Sequence, residues 1–440
     1  MSKIESFYND IFLKYRKIST DSRTIEKGSI FFSLSGAAFN GNAFAASALE
    51  KGAAMAVVDD ENYFMDNGSY YLVDDCLSFL QELARVHRSH FNCPVIGITG
   101  TNGKTTTKEL VSGALSLKYK TYYTHGNLNN HIGVPLTLLS VDERDARFVV
   151  VEMGANHPHE IQQLCGISDP DYGIITSIGV AHLEGFGNVE TIIETKTALY
   201  RHVAAKHGIV FVNSDSEVLM KNKPDSNVIF YGSPQRSFHV NCCGSPDNSS
   251  INVKFDWRYE SMPLYHVQSS MYGQYNYTNM LAAACIAAYF DVNTSQINDF
   301  LVSYNSSNNR SQVVKYGDVT FISDAYNANP SSMSAALDSF GKIDADNKVV
   351  ILGDMFELGG NTLKEHAGIV EKLGNMHLSE VYLVGENFSA VTRDFNTFKT
   401  TDDTLAFLAK HPLKNCLVLL KGSRGMRLEK VLAAMEKGID

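Results

Sequence analysis

Residues 95–106, with the sequence VIGITGTNGKTT, combine the amino acids that phosphate binding requires. The glycines of the turn at residues 100–103 let backbone N–H groups approach an anion closely. Lys104 would hold the β- and γ-phosphates of a nucleotide, and the Thr105 hydroxyl would hold Mg²⁺. The strict phosphate-loop pattern has a glycine where Ile98 stands, so the match is to a variant of that pattern. An ordinary strand, turn and helix is the alternative interpretation.

Two further polar residues follow predicted strands in the same region. Glu152 comes directly after the apolar residues 149–151, and His182 follows a strand predicted to end near residue 178. A carboxylate at the end of a strand beside the phosphate-loop strand is a usual place for a second Mg²⁺ contact. A helix cap is the alternative for Glu152, and an ordinary hydrogen-bonded histidine is the alternative for His182.

Lys196 lies within a predicted helix at residues 189–203 and shares its apolar face with Ile192, Ile193, Leu199 and Tyr200. Burial would lower the pKa of this ammonium group. A neutral amine can react with CO₂ to give a carbamate, which is an oxygen ligand suited to Mg²⁺. In the alternative interpretation, the stem is buried and the ammonium reaches water.

Three predicted strands near the C-terminus also end in polar residues. The sequences are DAYNANP at residues 324–330, GDMFELG at 353–359 and KGSRGMR at 421–427. Because the carboxyl ends of parallel strands meet at one edge of a sheet, we expect these segments to form one rim facing a shared cleft.

Positioning these residues requires parallel sheets with helices on both faces. Residues 94–305 alternate apolar strands with amphipathic helices, and residues 232–270 interrupt that alternation with a β-rich segment. A second doubly wound sheet begins near residue 309. Residues 1–93 form a small α/β module, and Pro94 marks its boundary because proline disfavours helix in the preceding residue.

Composition excludes several classes of protein. The chain has 440 residues and a formal net charge of −10, which argues against nucleic acid or an anionic membrane as partner. The N-terminal residues lack the apolar core of a signal peptide, and no apolar run is long enough to cross a membrane. Seven dispersed cysteines without CxxC spacing indicate free thiols in a reducing compartment. We expect a cytoplasmic monomer.

These motifs together resemble the Mur ligases of peptidoglycan synthesis. The residues that carry the resemblance lie in family order along nearly the whole chain: TGTNGKTT, EMGA at 152–155, GVAHLE at 179–184, DAYNANP and LGDMFELG. NLNNHIGVP at 127–135 and KGSR at 421–424 are similar to the MurF branch. The resemblance implies an ATP-dependent amide ligase that joins D-Ala-D-Ala to UDP-N-acetylmuramoyl-tripeptide through an acyl phosphate.

The resemblance also implies three domains: a UDP-sugar-binding domain at 1–93, an ATP-binding domain at 94–308 and a Rossmann-like domain at 309–440. Its implied nucleotide contacts are Gly100, Thr101, Asn102, Gly103, Lys104, Thr105, Thr106, Asn276, Asn279, Arg310 and Asp324. Its implied metal ligands are Thr105, Glu152, His182 and Lys196, the last as a carbamate, and Lys104, Lys196 and His182 would be catalytic. Its implied substrate contacts are Asp21, Ser22, Arg23, Asn127, Asn130, Asn327, Asn329, Asp354, Lys421 and Arg424.

Other functions remain open at this point. A folylpolyglutamate-type ligase or another Mur ligase is the alternative within the class, although DAYNANP and the N-terminal module argue against both. A P-loop ATPase switch would not need the rim that carries Asp354, Lys421 and Arg424. A non-catalytic UDP-sugar-binding protein would not need Lys104 and Glu152. The sequence leaves the third residue of the peptide substrate, diaminopimelate or lysine, undetermined.

Overall fold

We describe the protein from a computed structural model that covers residues 2–36, 39–247, 250, 252–305 and 311–437. Within these ranges the strands form three sheets, which follow one another along the chain. The first two sheets and their helices precede residue 305, and the third begins after residue 311.

The N-terminal sheet is parallel, with the order β1-β2-β3-β4. Its strands are β1 (Ile18–Ser19), β2 (Ile30–Phe32), β3 (Met55–Val58) and β4 (Tyr70–Leu72). The helices of this region are α1 (Lys3–Phe7), α2 (Leu13–Tyr15), α3 (Ala45–Glu50) and α4 (Cys76–Ser89), with a π-helical segment, Tyr8–Phe12, between α1 and α2. Helix α4 begins where the Asp75 carboxylate accepts a hydrogen bond from the backbone N–H of Ser78 at 2.6 Å.

The central sheet has the order β13-β12-β11-β10-β9-β8-β5-β7-β6 and is parallel from β11 to β6. Its strands are β5 (Val95–Thr99), β6 (Thr121–Tyr123), β7 (Phe148–Glu152), β8 (Tyr172–Ile175), β9 (Ile209–Asn213), β10 (Val228–Gly232), β11 (Cys242–Pro246), β12 (Asn252–Tyr259) and β13 (Tyr265–Tyr272). Its helices are α5 (Lys104–Ser116), α6 (Gly133–Leu139), α7 (Glu160–Ser168), α8 (Leu183–Phe186), α9 (Val189–Ala205), α10 (Glu217–Lys221), α11 (Tyr277–Tyr289) and α12 (Thr294–Ser303).

The C-terminal sheet has the order β14-β15-β19-β16-β17-β18, and only β14 runs antiparallel to its neighbour among the described strands of this sheet. Its strands are β14 (Gln312–Tyr316), β15 (Val319–Asp324), β16 (Lys348–Gly353), β17 (Glu380–Val384), β18 (Asn396–Phe398) and β19 (Leu417–Lys421). Its helices are α13 (Pro330–Gly341), α14 (Thr362–Gly374), α15 (Glu386–Val391), α16 (Thr401–Lys410) and α17 (Glu429–Lys437).

The predicted α/β fold class is confirmed, and the β-rich segment is the antiparallel addition β11-β12-β13. The strand predicted at residues 172–178 ends earlier, at Ile175. The Thr176 backbone N–H still donates to Thr99 of β5, whereas the Thr176 hydroxyl and the Ser177 carbonyl contact the loop that follows β5. All seven cysteines are free, as predicted. Across the described ranges, no helix is both long and apolar enough to cross a membrane.

Candidate active site

The predicted phosphate loop lies between β5 and α5. Gly100 and Gly103 have φ angles of +150° and +83°. A Cβ atom at Gly100 would lie 2.0 Å from Thr176 Oγ1, and one at Gly103 would lie 2.6 Å from Asn279 Oδ1. Both positions therefore require glycine, because a side chain would be strained and would collide with its neighbours.

The carboxyl end of β8 fixes this loop in place. The backbone N–H of Thr101 donates to the carbonyl of Ser177 at 2.8 Å, and the Thr101 hydroxyl donates to the carbonyl of Gly179 at 3.1 Å. The Thr176 hydroxyl donates to the carbonyl of Asn102 at 2.6 Å. The loop is thus held by the segment that follows the neighbouring parallel strand, through two backbone carbonyls and the Thr176 hydroxyl, at the edge where such sheets bind ligands.

Lys104 and Thr105 begin α5 at this loop. The Lys104 ammonium donates to the carbonyls of Gly100 at 2.9 Å and Thr101 at 3.1 Å. The Thr105 hydroxyl donates to Glu152 Oε1 at 3.1 Å. The lysine, the threonine and the carboxylate that the sequence analysis singled out therefore lie together.

The Glu152 carboxylate is buried and only partly hydrogen-bonded. Its Oε1 atom also accepts from Asn129 Nδ2 at 2.7 Å. Its Oε2 atom is buried and has no hydrogen-bond partner among the described residues. Burying a charged oxygen without a partner costs free energy, so an unpaired oxygen of this kind favours a bound cation.

The donor set suits Mg²⁺ in the presence of a nucleotide. The described part of the chain contains no group of three or more His, Cys, Asp or Glu side chains arranged to hold a metal. Mg²⁺ is commonly held by one or two carboxylates together with substrate phosphates. Thr105 and Glu152 meet that requirement beside the phosphate loop.

His182 is paired across the cleft. Its Nδ1 atom hydrogen-bonds to the carboxylate of Glu357, which follows β16 in the C-terminal region. Burial lowers the pKa of His182, and the negative charge of Glu357 partly opposes that effect. This bond joins the central region to the C-terminal region at the rim of the cleft.

Lys196 lies on α9 with 2% of its surface exposed. Its Nζ atom is 5.8 Å from the centroid of the Phe186 ring. Burial, and to a smaller extent the positive charge of Lys104, lowers the pKa of Lys196 to about 7. The structure therefore buries the ammonium, in contrast to the interpretation in which it reaches water. Lys196 is not among the residues that line the cavity described below, and its positive charge contributes to the lowered pKa of His182.

Asn276 and Asn279 form a hydrogen-bonded chain behind the phosphate loop. The Thr107 hydroxyl of α5 donates to Asn279 Oδ1 at 3.1 Å, and Asn279 Nδ2 donates to Asn276 Oδ1 at 2.9 Å. Asn276 Nδ2 in turn donates to the Ser311 hydroxyl at 2.9 Å. Arg310, the other predicted contact here, lies outside the described residues.

Asp324 and Lys421 form a buried ion pair at the carboxyl ends of β15 and β19. Lys421 Nζ lies 2.5 Å from Asp324 Oδ2, and Lys421 is 2% exposed. The Tyr275 hydroxyl donates to the same carboxylate at 3.4 Å. Burial, reinforced by the negative charge of Asp324, holds the pKa of Tyr275 well above its usual range.

Most residues of the predicted site line one cavity of about 720 Å³. Its lining includes these predicted residues: Thr101, Asn102, Gly103, Lys104, Thr105, Thr106, Asn127, Asn130, Glu152, His182, Asn276, Asn279, Asp324, Asn327, Asn329 and Lys421. An adjoining cavity of about 280 Å³ is lined by Arg424 together with Asn327 and Phe356. The phosphate loop and all three predicted C-terminal rim segments therefore face one cleft, and the segment at 353–359 does so through Phe356 and Glu357.

Two sets of predicted substrate contacts lie away from this cavity. Asp21, Ser22 and Arg23 form a turn in the N-terminal region, in which the Arg23 guanidinium lowers the pKa of the Asp21 carboxyl to about 2. Asp354 is 3% exposed, and its two oxygens accept hydrogen bonds from the backbone N–H groups of Asn387 and Phe388, both at 3.0 Å. Asp354 thus caps the start of α15, and the structure does not bring it to the cleft.

The sequence analysis did not single out some residues that the structure brings to the site. Asn129 contacts Glu152, and Glu357 contacts His182. Tyr326 lines both cavities. Asn129 and Glu357 lie inside the quoted motifs NLNNHIGVP and LGDMFELG. Their partners are distant in sequence, so the motifs gave a local signal without indicating the contacts.

The chain matches sequence profiles of one family over three stretches. Residues 14–88 match the catalytic domain of the Mur ligase family, residues 98–287 match the Mur ligase middle domain, and residues 309–424 match the Mur ligase glutamate ligase domain.

Relatives over the full length are consistent with these profiles. The UDP-N-acetylmuramoyl-tripeptide--D-alanyl-D-alanine ligase of Bacillus subtilis is 30% identical over 437 residues, which cover 94% of this chain and 92% of that protein. The crystal structure of MurF from Acinetobacter baumannii superposes with a TM-score of 0.85 at 28% identity, covering 96% of this chain and 94% of that one. The MurF ligase of Thermotoga maritima in complex with ADP has a TM-score of 0.83 at 26% identity, covering 100% and 99%.

Proposed function

The chain belongs to the Mur ligase family, and within its MurF branch we propose that it joins D-Ala-D-Ala to UDP-N-acetylmuramoyl-tripeptide. The reaction would use ATP and would form the pentapeptide precursor of peptidoglycan. The printed names of the relatives describe that activity for those proteins. The proposal transfers it to this chain because the cleft has the residues that such chemistry needs.

One observation carries the proposal. A single cavity is lined on one side by the phosphate loop with Glu152 and on the other by Asp324, Asn327 and Lys421 of the C-terminal sheet. A nucleotide bound at the loop would therefore present its terminal phosphate to a compartment that the C-terminal region completes. An ATPase switch would not need that second wall.

The first half of the reaction activates a carboxylate, which by itself is a poor electrophile. The terminal carboxylate of the UDP-linked tripeptide attacks the γ-phosphorus of ATP, giving an acyl phosphate and ADP. Lys104 would move from the carbonyls of Gly100 and Thr101 to the phosphates and stabilise the charge on the transferring group. Asn276 and Asn279 would support the adenosine side of the nucleotide.

Mg²⁺, held by Thr105 and the free oxygen of Glu152, would supply neutralisation of the phosphate charge. His182 would complete the cation-binding side of the cleft through its second ring nitrogen, since Nδ1 bonds to Glu357. The pKa of Lys196, lowered to about 7, leaves much of this amine neutral at physiological pH. We propose that Lys196 takes up CO₂ with loss of a proton and becomes an additional oxygen ligand.

In the second half, the amine of D-Ala-D-Ala attacks the acyl carbon and phosphate leaves. The adjoining cavity with Arg424 and Asn327 offers a guanidinium and an amide for a dipeptide carboxylate. Placing the two substrates between separate regions would orient them and exclude water from the acyl phosphate.

The remaining assignments belong to the same proposal. The domain boundaries stay at residues 93 and 308, and the turn of Asp21, Ser22 and Arg23 would contact the uridine side of the first substrate, at a distance from the phosphoryl-transfer cavity. Seven free thiols favour a reducing cytoplasm. A monomer remains our expectation.

The test is phosphate release from ATP with UDP-N-acetylmuramoyl-tripeptide, with and without D-Ala-D-Ala, together with mass spectrometry of the product. We expect release that requires both substrates and a product with the mass of the UDP-linked pentapeptide. ATP hydrolysis that is indifferent to both substrates would contradict the proposal and favour an ATPase switch.

A further inference from the structure

Lys108 is a buried lysine on α5, one turn after Lys104, and 1% of its surface is exposed. Its Nζ atom donates to the carbonyl of Thr124 at 2.8 Å and lies 5.5 Å from the centroid of the Tyr123 ring. The Glu109 carboxylate is 3.7 Å away. Burying an ammonium group costs free energy unless such contacts compensate, so these contacts define where Lys108 sits.

Thr124 connects this lysine to Glu152. It follows β6, which is the last strand at one edge of the central sheet within the described residues. The Thr124 hydroxyl accepts a hydrogen bond from the backbone N–H of Glu152 at 3.0 Å, and the Thr124 backbone N–H donates to Val150 at 3.0 Å. Lys108 therefore holds the residue that sets the backbone position of Glu152.

The asparagine loop, residues 125–132, begins directly after Thr124, where the chain leaves the sheet. Asn127 and Asn130 of this loop line the cavity, and Asn129 donates to the Glu152 carboxylate at 2.7 Å. Lys108 thus fixes the origin of a loop that also orients the Glu152 side chain. Helix α5 contacts Glu152 twice: directly through Thr105, and indirectly through Lys108 and Thr124.

We propose that Lys108 is a positioning residue for the cation site, acting through Thr124 on the backbone of Glu152. This inference rests on the proposed function, because it requires a divalent cation held by Thr105 and Glu152. Lys108 itself is not among the residues that line the cavity. Its removal therefore weakens cation binding more than it weakens binding of the nucleotide alone.

The experiment measures Mn²⁺ binding with ADP present, by electron paramagnetic resonance of free Mn²⁺, so that no turnover is involved. Lys108→Met and Thr124→Val should each weaken Mn²⁺ binding by about 10-fold or more, the usual cost of losing a group that orients a metal ligand. Thr124→Ser keeps the hydroxyl and should restore the affinity. ADP affinity measured in EDTA should change by less than about twofold. Without a metal ion, ADP binding does not depend on the residues that orient the cation ligand.

Activity gives a second readout of the same step. The KM for Mg²⁺ should rise in Lys108→Met and Thr124→Val, and kcat should recover at saturating Mg²⁺. Lys120→Met is the matched control, because Lys120 is exposed and lies 5.5 Å from the Tyr122 ring centroid without contacting the site. It should behave like the wild type in every assay.

The outcomes separate this inference from the function on which it rests. Wild-type Mn²⁺ affinity in Thr124→Val would overturn the positioning role, whatever Lys108→Met does, because the role acts through that hydroxyl. If Lys108→Met does not fold, the pair Thr124→Val and Thr124→Ser decides. Wild-type protein that binds no Mn²⁺ with ADP would overturn the inference and the proposed cation site together. Normal Mn²⁺ binding without amide formation would count against the proposed ligase reaction alone.

Discussion

The central region meets its two neighbours in different ways. At the junction with the N-terminal region, one hydrophobic core continues from Phe7 on α1 to Leu219 on α10, and Phe12 and His87 are buried within it. The guanidinium of Arg88 reinforces this junction by donating to the carbonyl of Ser168 at 3.0 Å. Separating these two regions would expose apolar surface to water.

The junction with the C-terminal region is mainly polar. Asn329 Nδ2 donates to Asn102 Oδ1 at 2.9 Å, and His182 bonds to Glu357 across the cleft. Tyr272 and Tyr275 are apolar contacts at this junction, because both pack in the C-terminal core, and the Tyr272 hydroxyl donates to the carbonyl of Ala336 at 3.2 Å. Polar contacts can be exchanged for water or substrate at a small net cost, whereas an apolar core cannot.

The difference indicates how one chain combines a fixed scaffold with a cleft that substrates must enter. The N-terminal and central regions form a permanent unit that carries the phosphate loop. The C-terminal region approaches this unit through groups that also line the cavity, so a bound substrate would compete with the contacts that hold the cleft together. The predictions below test this contrast.

The largest expected effect is in the cleft beside the polar junction and concerns activity alone. Lys104→Met should reduce amide formation by about 100- to 1000-fold, because a positioned charge on the transferring phosphoryl group is lost. The melting temperature should stay close to the wild-type value, since the hydrogen bonds of Lys104 to Gly100 and Thr101 lie within one loop. Phosphate release at saturating substrates measures the reaction rate, and calorimetry measures the melting temperature. Lys118→Met, an exposed lysine beyond the end of α5, is the control.

A change at the apolar junction should show the opposite pattern. Phe12→Ala should lower the free energy of unfolding by about 3 to 5 kcal/mol, because it leaves a cavity in the shared core. Asn329→Ala, at the polar junction, removes a cap that accepts from Ser332 at 2.8 Å and should cost about 1 kcal/mol. Denaturant titrations of the two variants provide the measurement. Equal losses would contradict the contrast between the junctions.

Scattering in solution tests whether the polar junction moves. We expect the radius of gyration to fall when an ATP analogue and both substrates are added, because they would replace water in the cleft and draw the C-terminal region inward. The ATP analogue alone should give a smaller change. An unchanged radius with all three ligands would mean that the cleft is already closed and that the polar junction is as fixed as the apolar one.

The sequence predicts some residues of this arrangement and not others. The phosphate loop and Glu152 were predicted because strand, turn and helix signals are local and the carboxyl ends of parallel strands must share an edge. Asp354 had the same local signal but serves as a cap for α15, since the turn before that helix lies beside β16. Glu357 and Lys108 gave no signal of their roles, because their partners His182 and Thr124 are set by packing between elements distant in sequence.

The smallest expected effect concerns the pH dependence of the apolar junction. His87 is fully buried; its Nε2 atom is 2.9 Å from the carbonyl of Val141, and its Nδ1 atom is 3.2 Å from the Tyr8 hydroxyl. The carbonyl can only accept, so Nε2 carries the proton and Nδ1 accepts from the tyrosine, which satisfies the neutral ring. Burial lowers the pKa of His87, and the charge of Glu143 only partly opposes this.

Because the folded-state pKa of His87 lies below the value of about 6.5 in the unfolded chain, the unfolded chain binds more protons as the pH falls. The contribution of the neutral His87 ring to the free energy of unfolding is therefore fully present above the unfolded-state pKa. It is lost as the pH decreases toward the folded-state pKa. His87→Gln should flatten the pH dependence of the unfolding free energy between pH 7 and 5 without abolishing it, because burial also lowers the pKa of His366 in the C-terminal region. A slope that His87→Gln does not alter would mean that the apolar junction contributes nothing to the pH dependence.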